Sequence, residues 1–97
     1  MSLQVKQIAS GQGVGSSAGV AMDTTPFMTK HSVLCRLEGT GDRVVQLEKS
    51  DDGGSTWSNV GSSVTGTVSW FEVVAGEQHR ITVSGGASGV GNCDFIA

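Results

Sequence analysis

Few side chains in this chain are of the types that carry out chemistry. The two histidines, His31 and His79, are the candidates for a metal ligand or a general base. Each lies at an alternating position of an apolar run, and the sequence alone assigns neither one an acid or nucleophile partner. We therefore interpret both as structural or surface histidines. The sequence predicts no catalytic residue, no metal site and no cofactor.

Acidic and glycine-rich patterns offer two further kinds of ligand site. Asp42, Asp51 and Asp52 could supply oxygen ligands to Ca²⁺, but the ligand spacing of a calcium-binding loop is missing. The Gly-x-Gly-x-Gly pattern of residues 11–15 resembles a phosphate-binding loop only loosely. It lacks the lysine and the following helix that such a loop needs. Neither pattern predicts a bound ion.

Three aromatic residues could stack on the rings of a sugar, as they do in carbohydrate-binding modules. These residues are Trp57, Trp70 and Phe71, and the chain contains no tyrosine. Packing in a hydrophobic core is the favoured role for all three. Carbohydrate binding is the alternative, which leaves a glycan as the less favoured partner.

The two cysteines, Cys35 and Cys93, both lie inside apolar runs. Small buried thiols are the favoured interpretation. A disulfide between the two sheets of a sandwich is the alternative. A metal pair is not expected, because neither residue has a Cys or His at ligand spacing.

Composition excludes several classes of partner. The 97 residues amount to one domain, and the formal net charge is only −3. The six Lys and Arg residues are scattered, so they do not form the basic footprint that nucleic-acid binding needs. No apolar run approaches the ~18 residues of a membrane span, and the N-terminus lacks the apolar segment of a signal peptide. We expect no nucleic-acid or membrane partner, and synthesis without secretion.

The elements that must position these residues are strands. Apolar residues alternate with polar ones at a period of two, and no glycine-free window has helical periodicity. The predicted strands cover residues 3–9, 19–22, 29–38, 43–50, 57–60, 64–75, 79–84 and 90–96. Their spacing predicts a single domain over 1–97, an all-β antiparallel sandwich (immunoglobulin-like) or small barrel of about seven or eight short strands.

Three finer expectations concern how the strands are arranged. The short connection Gly39-Thr-Gly-Asp42 predicts a hairpin between strands 29–38 and 43–50. The β-branched and aromatic run 64–75 predicts a central strand. Core side chains of the second sheet are expected from Trp70, Phe71, Ile81 and Phe95.

One segment is too rich in glycine and serine to predict regular structure. Residues 10–19 read as a flexible loop or arm that could contact a neighbouring subunit. The candidate interaction residues in it are Ser10, Gly11, Gly13, Gly15, Ser16, Ser17 and Gly19.

The most specific pattern in the chain is Ser50-x-Asp52-x-Gly54-x-Thr56-Trp57. It matches the Asp-box pattern, Ser-x-Asp-x-Gly-x-Thr-Trp, at every fixed position. The carboxylate can accept backbone N–H groups across the turn, the glycine can adopt positive φ, and the indole can pack beneath the loop. The pattern resembles the Asp boxes of sialidase-type propellers, where these boxes are structural hairpins away from the catalytic site. We therefore expect the hairpin here and not the activity.

A wider resemblance covers residues 43–85. The stretch Gln-Leu-Glu-Lys-Ser-Asp-Asp-Gly-Gly-Ser-Thr-Trp is followed by a Val/Thr strand and then by Val-Ala-Gly-Glu-Gln-His-Arg-Ile-Thr-Val-Ser-Gly. This order is similar to that of small β-sandwich virion proteins of tailed bacteriophages. An aromatic residue often precedes the arginine in those proteins, whereas this chain has His79, so a bond like that of a tyrosine corner is in doubt.

The resemblance implies a non-enzymatic structural role. It implies a capsid decoration (cement) protein, or a head-fibre or tail component, made in the host cytoplasm and located in the virion. The implied partners are the major capsid protein or other virion subunits, and further copies of this chain in a homo-oligomer.

Overall fold

The computed structural model of this chain describes residues 5–21, 32–74 and 77–96, which form strands and turns and include no helix. The prediction of an all-β chain is confirmed. None of the described elements is a helix that could span a membrane. The strands are β1 (Val5–Gln12), β2 (Gly15–Ser16), β3 (Val20–Ala21), β4 (Ser32–Gly39), β5 (Val44–Ser50), β6 (Ser58–Val64), β7 (Val68–Val74), β8 (Gln78–Ser84) and β9 (Gly91–Ile96).

The strands form two antiparallel sheets. The first sheet has the order β1-β9-β4-β7, and the second has the order β2-β8-β5-β6, with β3 also paired to β8. The pairs are nested along the chain: β1 with β9, β2 and β3 with β8, β4 with β7, and β5 with β6. This is the strand order of a jelly roll. The predicted antiparallel sandwich is confirmed, and the jelly-roll order takes the place of the immunoglobulin-like one, in which the last strand lies beside the preceding strand.

The core lies between the two sheets and follows the alternation seen in the sequence. In β5 and β8, alternate residues are buried and the residues between them face outward, as the period of two predicted. Ile81 and Phe95 are fully buried in the core, as predicted, but they do not share a sheet: Phe95 pairs with Cys35 in the first sheet and Ile81 with Leu47 in the second. The buried apolar residues are Ile8, Ala9, Val33, Cys35, Leu37, Val45, Leu47, Val64, Val73, Ile81, Val83, Cys93 and Phe95.

The predicted hairpin across residues 39–42 is wrong. Strand β4 pairs with β7 and β9 in the first sheet, whereas β5 pairs with β6 and β8 in the second. Short connections usually join neighbouring strands, which is why the sequence favoured a hairpin. Because β4 and β5 each bury a full apolar face, they lie on opposite sides of the core, and residues 39–42 cross the roughly 10 Å between sheets.

This crossing is tied to a second one at the same end of the sandwich, the connection from β8 to β9. The Asp42 carboxylate accepts hydrogen bonds from the backbone N–H of Ala87 (2.8 Å) and of Ser88 (2.9 Å). These bonds hold the pKa of Asp42 below its ordinary value. The Arg43 guanidinium donates to the carbonyl oxygen of Gly85 (2.7 Å). We call these contacts of Asp42 and Arg43 with residues 85–89 the crossover clasp.

Glycine is required where the two crossings touch. A Cβ placed on Gly89, whose φ is +114°, would collide with the carbonyl oxygen of Thr40. The hydroxyl of Thr40 accepts a hydrogen bond from the Val90 N–H at 2.9 Å. The glycine-rich sequence of residues 85–89 therefore allows one backbone to lie directly against the other.

Strand β7 differs from its predicted position. It is an edge strand of the first sheet and not a central one, and it begins at Val68. Trp70 points away from the core and is 52% exposed, while Phe71 is partly buried against the core. Both faces of this run are apolar in sequence, so the period-two pattern could not distinguish the inward face from the outward one.

Some expectations fall partly or wholly outside the described residues. His31 and the start of the predicted strand 29–38 are among them. Strand β6 continues to Val64, so residues 61–63, expected to be a link, lie within it.

The inward and outward registers of β4 can be tested with two substitutions on that strand. Leu37 is fully buried and Leu34 is 45% exposed. We expect Leu37→Ala to lower the free energy of unfolding by about 2–5 kcal/mol because it leaves a cavity. Leu34→Ala should lower it by less than about 1 kcal/mol. Urea unfolding followed by circular dichroism measures both, and equal losses would contradict the register.

Candidate functional site

The Asp-box pattern lies in a hairpin between β5 and β6. Ser50 ends β5, Trp57 immediately precedes β6, and Lys49 pairs with Ser58 in the antiparallel register. The sequence therefore located this hairpin correctly.

The Asp52 carboxylate organises the turn. Its Oδ1 accepts hydrogen bonds from the Ser50 hydroxyl (2.7 Å), the Thr56 N–H (2.9 Å) and the Ser55 N–H (3.1 Å). Its Oδ2 accepts a bond from the Thr56 hydroxyl. The Thr56 hydroxyl, followed by the Ser50 hydroxyl, holds the pKa of Asp52 far below its ordinary value. These hydrogen-bond donors keep the Asp52 carboxylate ionised and occupied. Asp52 is therefore poorly suited to act as a general acid or base.

The remaining residues of the pattern close the turn from both ends. The Ser50 hydroxyl also accepts the Gly54 N–H at 2.8 Å. The Trp57 indole N–H donates to the Gly54 carbonyl at 3.1 Å, and Gly54 has a φ of +97°. The five fixed residues are thus bonded to one another in a hairpin clasp. We use this name for residues 50–57.

A network of polar side chains on the solvent-facing side of the second sheet continues from the hairpin clasp. The Arg80 guanidinium lies 4.3 Å from the centre of the Trp57 ring. Its Nε donates to Glu48 Oε1 at 2.7 Å, and the same oxygen accepts the Thr82 hydroxyl at 2.7 Å. The hydroxyls of Thr82 and Ser16 are 2.9 Å apart. The network therefore connects the clasp, across β5 and β8, to strand β2.

Segment 10–19 is more regular than its composition predicted. Ser10 and Gly11 lie in β1, Gly15 and Ser16 form β2, and Gly13 lies in the short link between these strands. The Ser17 N–H donates to the Ile81 carbonyl at 2.9 Å, and the Ser17 hydroxyl accepts the Ile81 N–H. Gly19 lies so close to Trp57 that a Cβ on it would be 2.9 Å from the indole. The segment begins in β1 of the first sheet and continues along the edge of the second sheet from Gly15, and its contact with a neighbouring subunit stays a prediction.

His79 is the most unusual titratable residue that the structure describes. It is fully buried, its Nδ1 lies 2.9 Å from the Glu77 carbonyl, and its ring stands edge-on to Phe95 with 5.2 Å between centroids. A carbonyl can only accept, so Nδ1 carries the proton and Nε2 is left as an acceptor. Burial lowers the pKa of His79, which keeps the ring neutral. Among the described residues, Nε2 has no hydrogen-bond partner, and neither does Glu77 Oε1.

His79 and Glu77 border a cleft of about 180 Å³ where the two sheets meet near the β7–β8 connection. The volume is below the ~300–1,000 Å³ of typical ligand pockets. None of the described residues that line this cleft is a Ser, Thr or Cys, so none of them supplies a hydroxyl or thiol nucleophile to pair with His79. The other lining residues are Lys49, Asn59, Val60, Glu72, Val73 and Val74.

The two cysteines meet in the core. Cys35 and Cys93 lie on the neighbouring strands β4 and β9, both are fully buried, and their sulfur atoms are 3.3 Å apart. Both are free thiols, as the favoured interpretation held. The neighbouring Cys35 thiol and burial raise the pKa of Cys93, which keeps the Cys93 thiol protonated.

Sequence reasoning missed the residues that hold the crossings and the outer network. The sequence indicates Asp42 as a possible calcium ligand at the end of a hairpin connection and Arg43 as the start of a strand, whereas the structure shows both holding the β8–β9 connection. Arg80 and Glu48 are directly opposite each other in the β5–β8 register, which only the strand order reveals. Within the part of the chain that the structure describes, no three His, Cys, Asp or Glu side chains form a group able to hold a metal ion.

We expect Asp52→Ala to lower the melting temperature at neutral pH, because the N–H groups of residues 55 and 56 lose their acceptor. The exposed neighbour Asp51 is the control, since Asp51→Ala removes the same charge from the same loop. The depressed folded-state pKa means that the stabilisation by Asp52 is complete above about pH 4 and is lost as the pH falls below that value. Thermal unfolding monitored from pH 7 to pH 2 measures both effects. Equal behaviour of the two variants would show that the clasp does not depend on Asp52.

His79 should make the stability of the fold depend on pH in a higher range. Because its pKa is lowered in the folded state, the unfolded chain takes up the proton first. The contribution is therefore fully present above about pH 6.5 and declines as the pH falls below it. We expect urea unfolding between pH 8 and pH 5 to show a smaller loss of stability for His79→Leu than for the wild type. His31 is present in both chains, so its titration cancels in the difference, and parallel curves would refute the assignment.

Comparison of the chain with protein-family models, with curated proteins and with solved structures gives no significant match in any of the three. The strand order and the hairpin clasp are therefore the features on which a functional argument has to rest. Both describe how the chain is held together, and neither includes an assembled reactive group among the described residues.

Proposed function

We propose that this protein is a non-enzymatic structural protein of a bacteriophage virion, namely a capsid decoration (cement) protein that binds the outer shell or neighbouring subunits as an oligomer. The proposal places it in the virion after synthesis in the host cytoplasm. Its partners are the major capsid protein or other virion subunits.

The observation that carries the proposal is how the polar side chains are used. Asp52 and its neighbours hold the hairpin, Asp42 and Arg43 hold the crossover clasp, and the Glu48–Arg80 pair links strands. Each of these polar side chains bonds to the chain itself. What remains for function is the outer surface, which suits a protein that acts by contact.

The fold is compatible with this role by analogy. Jelly rolls occur in viral capsid domains and also in lectins. The stretch that resembles virion proteins, residues 43–85, comprises β5, β6, β7 and β8, and so includes the hairpin clasp and parts of both sheets. A fold alone does not define a function, so this analogy supports the proposal only alongside the side-chain argument.

Carbohydrate binding, as an adhesion module in a tail or head fibre, is the second candidate. It is favoured by one observation, the 52% exposure of Trp70, since the residue was expected in the core. A sugar ring stacks on such an indole when polar groups around it form hydrogen bonds with the sugar hydroxyls. Trp57 does not offer the same platform, because Arg80 and Gly19 lie against it.

The proposal predicts that the purified protein binds phage particles assembled without it. We expect saturable co-sedimentation, with a fixed number of copies for each shell, because a decoration protein fills a lattice of equivalent sites. Urea-unfolded protein and empty tubes are the controls for non-specific pelleting. Protein that remains in the supernatant at all concentrations and at low salt would contradict the proposal.

A further inference from the structure

The outer face of the first sheet carries large apolar side chains that stay exposed beside the other described residues. The register places Arg36 of β4 between Trp70 of β7 and Asp94 of β9. One step along β4 on the same face, Leu34 lies between Glu72 and Ile96. One step in the other direction, Glu38 lies opposite Val68 of β7. We call these side chains the outer face.

The apolar side chains of the described residues are unusually exposed on this face. Trp70 is 52% exposed, Leu34 is 45% exposed and Val68 is 36% exposed. They are three of the five large hydrophobic residues that are exposed in the described part of the chain. Clusters of this kind, centred on a tryptophan and bordered by an arginine, are typical of protein interfaces.

The charged side chains of the outer face give it a net negative charge. Arg36 lies 3.5 Å from the Glu38 carboxylate, which also accepts the Asn92 amide at 3.1 Å. The carboxylates of Glu72 and Asp94 accept no hydrogen bond from the other described residues. One positive and three negative groups leave the face with a charge of 1 − 3 = −2 from Arg36, Glu38, Glu72 and Asp94.

The negative charge of the outer face and its exposed apolar side chains together indicate what kind of partner binds there. A second copy placed face to face would bring two acidic faces together, which is repulsive. A glycan would gain little from the aliphatic side chains of Leu34 and Val68, which offer no hydrogen bonds. A protein surface with an apolar recess bordered by Lys or Arg would cover Trp70 and Leu34 and pair with Glu72 and Asp94.

We propose that the outer face docks on the shell of the particle, on a protein surface that receives Trp70 in an apolar recess and offers basic residues to Glu72 and Asp94. This inference rests on the proposed function and names the surface and the partner chemistry that perform it. The opposite side of the sandwich carries the network of Glu48, Arg80 and Thr82, whose polar groups bond to one another. The polar groups of the second sheet are thus bonded within the chain, whereas the apolar and acidic groups of the outer face remain exposed for a partner.

Co-sedimentation with particles assembled without the protein tests the inference, with three variants of the full chain. Trp70→Thr removes the indole and keeps a residue that favours strands. Glu72→Lys reverses one charge of the outer face. Asp51→Lys makes the same change of net charge in the exposed hairpin loop and is the matched control. Circular dichroism and urea unfolding confirm that each variant folds.

We expect Trp70→Thr to weaken binding by about tenfold or more, as truncation of a central interface residue does. Glu72→Lys should also weaken binding, and it should reduce the sensitivity of binding to NaCl between 50 and 300 mM. Asp51→Lys should bind like the wild type.

The outcomes separate the two proposals. Wild-type binding that Trp70→Thr leaves unchanged would overturn the docking face while the decoration role stands. Absence of wild-type binding would overturn both. Two further findings would overturn the choice of occupant: a concentration-dependent dimer in light scattering that Trp70→Thr abolishes, or binding on a glycan array that the same variant loses.

Discussion

The fold depends on holding together two chain crossings that consist almost entirely of small residues. In a jelly roll of this order, the chain passes between the sheets from β4 to β5 and again from β8 to β9. Residues 85–89 are three glycines, one alanine and one serine, so they offer little side-chain packing to fix their path. The side chains of Asp42 and Arg43, which lie outside that loop, hold it in place through hydrogen bonds with its backbone. Without these contacts, the entropy of a glycine-rich loop would oppose closure of the sandwich.

Local chemistry made part of this architecture predictable. The box between β5 and β6 is formed by residues at most seven apart, so its spacing in sequence is also its geometry in space. The alternation in β5 and β8 likewise identified the buried side of each strand, including His79, Ile81 and Val83. In both cases the information lies within one element or one turn.

Features that depend on distant parts of the chain could not be predicted. A four-residue connection is long enough either to turn back or to cross the core, so residues 39–42 were ambiguous. Trp70 and Phe71 are adjacent and both apolar, and only the position of β7 at a sheet edge decides which of them faces outward. The glycines and serines of residues 10–19 give no side-chain pattern, whereas the pairing of Gly15 and Ser16 with β8 is made by backbone groups. The outer network joins residues up to 66 positions apart.

The lengths of the edge strands have a consequence for solubility. The edge beside β8 consists of β2 and β3, which have two residues each, so it is too interrupted to template the addition of a foreign strand. Strand β7 has seven residues, several of them β-branched or aromatic, and β4 is its described hydrogen-bonding neighbour. The other two edge strands, β1 and β6, contain fewer β-branched and aromatic residues, so unwanted cross-chain pairing in concentrated solution would begin at β7. The charge of Glu72, in the middle of that strand, is the natural feature that discourages it.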